Sequence, residues 1–96
     1  MTVLRIEHPV SDFAAWKRTF DSFAERRRSG GVRHYQVLRL ADDPNYVLID
    51  LTFDSRSAAE AFLAFLRGIW QSATASQVLR GAPQVRIAEV AESQQL

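Results

Sequence analysis

Two histidines, His8 and His34, are the only side chains here whose ordinary titration falls near neutral pH. His8 is the better placed for chemistry. It stands at a strand-like break, His8-Pro9, eight residues before Trp16. An imidazole at a strand end beside an indole could act as a general base, taking a proton from a phenol or enol. The plainer outcome is a ring whose nitrogens satisfy backbone groups at the break, and a single histidine without a visible partner favours it. His34 and Tyr35 open a second strand, so alternation sends them to opposite faces. Tyr35 shares the parity of Val37 and is assigned to the cavity side, leaving His34 for the surface. The rings of Trp16, Phe20, Phe23, Phe62, Phe65 and Trp70 fall at helical spacing, which makes them core first. Six large rings on two short helices could also wall a pocket for a planar ligand. The candidate ligand-binding set is therefore Trp16, Phe20, Tyr35, Phe62 and Trp70, with His8 as candidate base.

Charged groups suggest structure more than catalysis. Asp50 lies between Ile49 and Leu51 and is the best candidate for a buried carboxylate, with Arg5 its expected partner in an ion pair. The Arg26-Arg27-Arg28 run could bind phosphate, but cations solvating the negative end of a helix explain it adequately. Two histidines 26 residues apart, with no His-x-x-x-His pair, give no metal ligand set. No glycine-rich phosphate loop or nucleophile elbow is written in the chain, and no cofactor is expected. Cysteine is absent, which removes thiol catalysis, disulfides and thiolate metal sites together.

These residues must be positioned by few elements. Ninety-six residues suffice for one core, and residues 1–91 are expected to form one domain, followed by a polar tail at 92–96. The net charge of +1 points to neither nucleic acid nor an acidic membrane as partner. The N-terminus lacks the apolar run of a secretory signal. The stretch Ala58 to Trp70 is too short, and too interrupted by Glu60 and Arg67, to span a bilayer. A cytoplasmic protein is the expectation.

Along the chain, Thr2 to His8 alternates as a strand, with Leu4, Ile6 and His8 on one face and Val3, Arg5 and Glu7 on the other. Ser11 or Asp12 should cap one helix running through Arg28, stopped by Ser29-Gly30-Gly31. Val32 to Leu40 and Tyr46 to Phe53 read as a hairpin joined by Ala41-Asp42-Asp43-Pro44-Asn45, the first of the two less regular and suggesting an edge or bulge. A second helix should open at a capping box, Ser57 with Glu60, and carry a main stripe of Ala58, Ala61, Phe62, Phe65 and Ile69. Ser72 to Leu79 offers a short helical turn, and Gln84 to Val90 a fourth strand.

Strand, helix, strand, strand, helix, strand is most economically folded as a split βαβ arrangement. That gives an α+β, ferredoxin-like fold: a four-stranded antiparallel sheet with two helices on one face. The first and third strands are central. The other face carries Val3, Arg5, Glu7, Tyr46, Leu48, Asp50, Thr52, Arg86 and Ala88. Val3, Tyr46 and Leu48 would sit exposed on a flat sheet, which favours a subunit interface over a solvated surface. Arg5, Glu7, Tyr46, Leu48, Asp50 and Arg86 are its expected contacts, the partner being a second copy.

From about Thr2 to Val90 the chain resembles the dimeric α+β barrel superfamily, including its antibiotic-biosynthesis monooxygenase-like members. The carriers are Arg5-Ile6-Glu7-His8-Pro9-Val10-Ser11-Asp12-Phe13 with Trp16, the turn Asp42-Asp43-Pro44-Asn45, and Phe53-Asp54-Ser55 leading to Ala61-Phe62. The resemblance implies two sheets packed face to face, with each site between a sheet and its helices. It spans cofactor-independent oxygenases, lactone isomerases, polyketide cyclases and haem-degrading enzymes, so architecture is implied better than activity. The second helix has no histidine to serve as the proximal ligand that haem-degrading relatives imply. Two readings result. One is a homodimer binding a small apolar or aromatic molecule, with cofactor-independent monooxygenase- or cyclase-like chemistry. The other is a non-enzymatic dimeric binding or structural protein whose own rings fill the cavity.

Overall fold

In a computed structural model, described over residues 1–72 and 80–96, the chain forms four strands and three helices. They are β1 (Thr2–Pro9), α1 (Phe13–Ser22), α2 (Ala24–Ser29), β2 (His34–Leu40), β3 (Asp43–Phe53), α3 (Arg56–Trp70) and β4 (Gln84–Glu89). The strand order is β2-β3-β1-β4 with every neighbour antiparallel. The ferredoxin-like fold with β1 and β3 central is as expected. The turn expected across Ser72 to Leu79 lies outside the described residues, since 73–79 are not among them.

β1 shows why the sheet has two characters. Thr2, Leu4, Ile6 and His8 are buried beneath the helices, while Arg5 is exposed on the other side. Leu4 faces Leu51 and Ile6 faces Ile49 across the β1–β3 ladder. With Val47 and Phe53 they make an apolar floor, on which Trp16, Ala59, Phe62 and Leu63 pack from above. Among the described residues no helix covers the opposite face.

Several boundaries differ from the sequence reading, each for a local reason. The strand does not stop at His8: Pro9 still faces Tyr46, and Val10 N donates to Asn45 O at 2.7 Å to close the ladder. A terminal position tolerates the missing N–H of proline. Asp12, not Ser11, caps α1, accepting from Ala15 N at 2.9 Å. The single expected helix is two. The Ser22 hydroxyl donates to Thr19 O at 2.6 Å, a side-chain bond of the kind that bends helices. Phe23 then leaves helical geometry at φ −101°, ψ 18° before α2 starts.

The hairpin loop is shorter than expected, because β3 begins at Asp43 and only Ala41 and Asp42 turn. The expected irregularity of β2 is a register shift between Arg39 and Leu40. α3 opens two residues earlier than the proposed capping box, with Ser55 accepting from Ala58 N at 3.2 Å. Its buried stripe is Ala59, Phe62 and Leu63, whereas Ala61, assigned to the stripe above, faces solvent. At 100° per residue Ala61 sits about 160° from Ala59, on the far side of the helix.

Candidate functional site

The β1-to-α1 break determines where His8 points. Asn45 secures it from β3: its backbone oxygen takes Val10 N, and its side-chain oxygen takes Phe13 N at 3.2 Å. His8 is 2% exposed, with its ring 6.0 Å from that of Trp16 in an edge-to-face arrangement. Nδ1 lies 3.2 Å from Pro9 O. A carbonyl can only accept, so this contact is a hydrogen bond in the tautomer that carries its proton on Nδ1. In the neutral ring, that tautomer keeps the lone pair on Nε2. Burial lowers the pKa of His8, and the hydrogen bond to Pro9 opposes the shift only in part. The imidazole is therefore neutral at pH 7, the form a general base requires.

Above His8, between the sheet and the three helices, lies a partly enclosed cavity of about 80 Å³. Its walls include Trp16, Phe20, Phe62 and Trp70, four of the five candidate ligand residues. Tyr35, the fifth, has the expected helix-side parity but does not line this cavity. It is 43% exposed on edge strand β2, with its ring 5.2 Å from Phe20, and it borders a second cleft outside. His34 projects onto the uncovered sheet face and is exposed. Among the described residues no three His, Cys, Asp or Glu side chains gather as a metal site would require.

One residue was misread in the sequence. Arg27, assigned above to a solvated helix end, is only 7% exposed and lines the cavity. Its guanidinium lies 3.8 Å from the Phe20 ring centroid and 5.0 Å from that of Tyr35, and Nη1 donates to Phe20 O. Burial lowers its pKa, with Tyr35 and Asp21 opposing, yet an arginine remains a cation at neutral pH. A signal existed. Arg27 is seven residues after Phe20, on the same face of a 3.6-residue helix.

The other face of the sheet collects the six expected interface residues. Arg5 pairs with Asp50 through two parallel bonds of 2.8 Å, Nε to Oδ1 and Nη2 to Oδ2. Those bonds raise the pKa of Arg5. Asp50 keeps 18% of its side chain exposed in the single chain. The Tyr46 hydroxyl donates to Glu7 Oε1 at 2.7 Å, which raises the phenol pKa. Arg86 faces Arg5 across the β1–β4 ladder, and Leu48 lies between Glu7 and Leu38.

Solved structures share this architecture at low sequence identity. A protein of unknown function from Nitrosomonas europaea superposes with TM-score 0.76 at 15% identity, over 99% of this chain and 93% of that one. SnoaB, a cofactor-independent oxygenase from Streptomyces nogalater, gives 0.76 at 13% identity over 96% and 94%. A dimeric ferredoxin-like protein from an uncultured marine organism gives 0.68 at 8% identity over 99% and 98%. No protein-family model matches the chain, and no curated protein matches it in sequence. These likenesses show the fold, a ferredoxin-like four-stranded antiparallel sheet with its helices on one face.

Proposed function

We propose that the chain works as a homodimer in which each protomer binds a small aromatic molecule between its sheet and helices, with His8 as general base. The observation that carries this reading is a neutral, buried imidazole on the wall of an aromatic cavity. Deprotonating a bound phenol or enol yields an electron-rich anion. Such an anion can be oxidised by dioxygen without a cofactor, or can attack a carbonyl carbon within the same molecule in a cyclisation. Likeness in fold to a cofactor-independent oxygenase supports the first course. Trp16, edge-on to His8 and 5.1 Å from Phe20 in a stacked arrangement, would orient the ring.

The dimer reading rests on the uncovered sheet face, whose charges pair while Val3, Tyr46 and Leu48 stay partly exposed. A cavity of only about 80 Å³ favours a second reading, in which the protein's own rings fill the space and no ligand binds. A thermal-shift titration with phenol, catechol and hydroquinone separates the two. A ligand at about a hundred times its Kd adds about 2.7 kcal/mol of stability. Stabilisation of the wild type that His8→Ala weakens at least about tenfold in affinity supports the first reading. A ring that binds both proteins equally removes His8 from the site, and no binding by any ring leaves the filled core.

A further inference from the structure

The cavity wall carries one full charge, and among the described residues no ion pair answers it. Among the described residues Arg27 makes no ion pair, although its neighbours do: Arg28 holds Glu25 at 2.7 Å and Arg33 holds Asp54 at 2.8 Å. Asp21, six residues before Arg27 in the chain, acts on it only through space and is itself held by Lys17 at 2.7 Å. The Phe20 carbonyl takes one N–H, and two ring faces take the guanidinium plane, but none of these cancels the charge. Withdrawing a cation from water without a paired anion is costly, and an anion at this side chain would offset that cost.

Space and approach narrow the class. A closed apolar cavity of about 150 Å³ holds one benzene ring. About 80 Å³ with an open side therefore has room for one ring, partly protruding, and not for a fused polycycle. Arg27 also borders a second, more polar cleft of about 300 Å³, shared with Arg28, Arg33, His34 and Tyr35. Arg27 borders both spaces, and in the outer one the other arginines, Arg28 and Arg33, already hold carboxylates, which leaves Arg27 to meet an incoming anion. An acid arriving there can keep its charge on Arg27 while its ring enters between Phe20 and His8.

Given that the cavity is a ligand site, as proposed above, we infer that its ligand is a single-ring aromatic acid whose anionic group pairs with Arg27. Arg27 is then the specificity-determining residue. A planar carboxylate matches the guanidinium fork in two parallel bonds.

Benzoate and benzamide, nearly equal in shape and differing in charge, test this by titration at pH 7. Wild-type protein is expected to bind benzoate at least about tenfold more tightly. Arg27→Met should bring the two affinities together while leaving benzamide binding in place. The Arg27 Nε–H resonance of the wild type should move with benzoate and not with benzamide, a readout that does not depend on the variant folding. Equal affinities in the wild type, a benzoate preference that survives Arg27→Met, or an unmoved Nε–H resonance would each overturn the role of Arg27. Binding of benzamide without any preference for benzoate overturns that role alone; failure of both compounds to bind overturns the cavity as a ring site too.

Discussion

His8 and Arg27 face one cavity, one neutral and the other a cation, and burial acts on both in the same direction. Each is pushed toward its neutral form, but only histidine starts close enough to neutral pH to get there. A pH dependence follows with a definite sign. In the unfolded chain His8 titrates near 6.5, whereas in the fold its pKa is lower. As pH falls below 6.5 the unfolded state takes up a proton that the folded state refuses, so folding stability is lost on acidification. Above pH 7 the group contributes no slope. Calorimetry between pH 7 and 5 should show a smaller loss of Tm in His8→Gln than in the wild type; parallel curves would mean that His8 is not held neutral. At the exposed pair the expectation is modest. Asp50→Asn in the isolated chain should cost no more than about 1 kcal/mol, since Arg5 is half in solvent.

At the scale of elements, the helix ends hold the cavity roof in place. Ser55 caps α3, and Ser55→Ala should lower stability by about 1 kcal/mol in urea unfolding. Gly30 closes α2 against α3: a Cβ there would lie 2.5 Å from Phe62 Cδ1 and 2.9 Å from Arg26 O. Phe62 lines the cavity, so Gly30→Ala should cost about 1–3 kcal/mol and disturb ligand binding together with stability. Unchanged stability would show that the Phe62 ring has room to swing aside. Alternation made the strands legible, because the parity of Leu4, Ile6 and His8 is a local property of the backbone. The β2–β3 pairing was legible from turn residues, but not its length, since a strand can extend through Pro44 beside a register shift. The break at Phe23 was illegible for a different reason. No proline or glycine marks it, and a hydroxyl that turns back to Thr19 O looks in sequence like any serine. Arg27 was hidden by its neighbours, since Arg26 and Arg28 are exposed as a basic helix end should be. Its guanidinium lies over Tyr35, which strand β2 supplies.

At the scale of the whole molecule, the sheet is covered on one side only. Leu48 is half-buried in the centre of the uncovered face, opposite Leu38, which is 39% exposed. A specific homodimer there would remove about 800 Å² from each copy. Light scattering should then give twice 10.9 kDa for the wild type. Leu48→Glu, buried against a partner's sheet, should shift the population to 10.9 kDa without unfolding the chain. A variant that stays dimeric would place the interface on another surface, and a wild type that is strictly monomeric at high concentration would dispose of the barrel. The placement of charge agrees with a self-complementary contact. Arg5 with Asp50 and Tyr46 with Glu7 already satisfy each other within a copy, so a partner need not supply their counter-groups.

The strict alternation of β1 also bears on how this protein can change over generations. Consecutive residues serve different masters: Leu4 belongs to the core and Ile6 and His8 to the floor of the cavity, while Arg5 and Glu7 belong to the opposite surface. Insertion or loss of one residue between Thr2 and His8 would exchange the two sets at once. Core, candidate base and paired charges would all be misplaced by a single codon. Length variation is better tolerated at the exposed Ala41-Asp42 turn. The two central strands, β1 and β3, must keep their count.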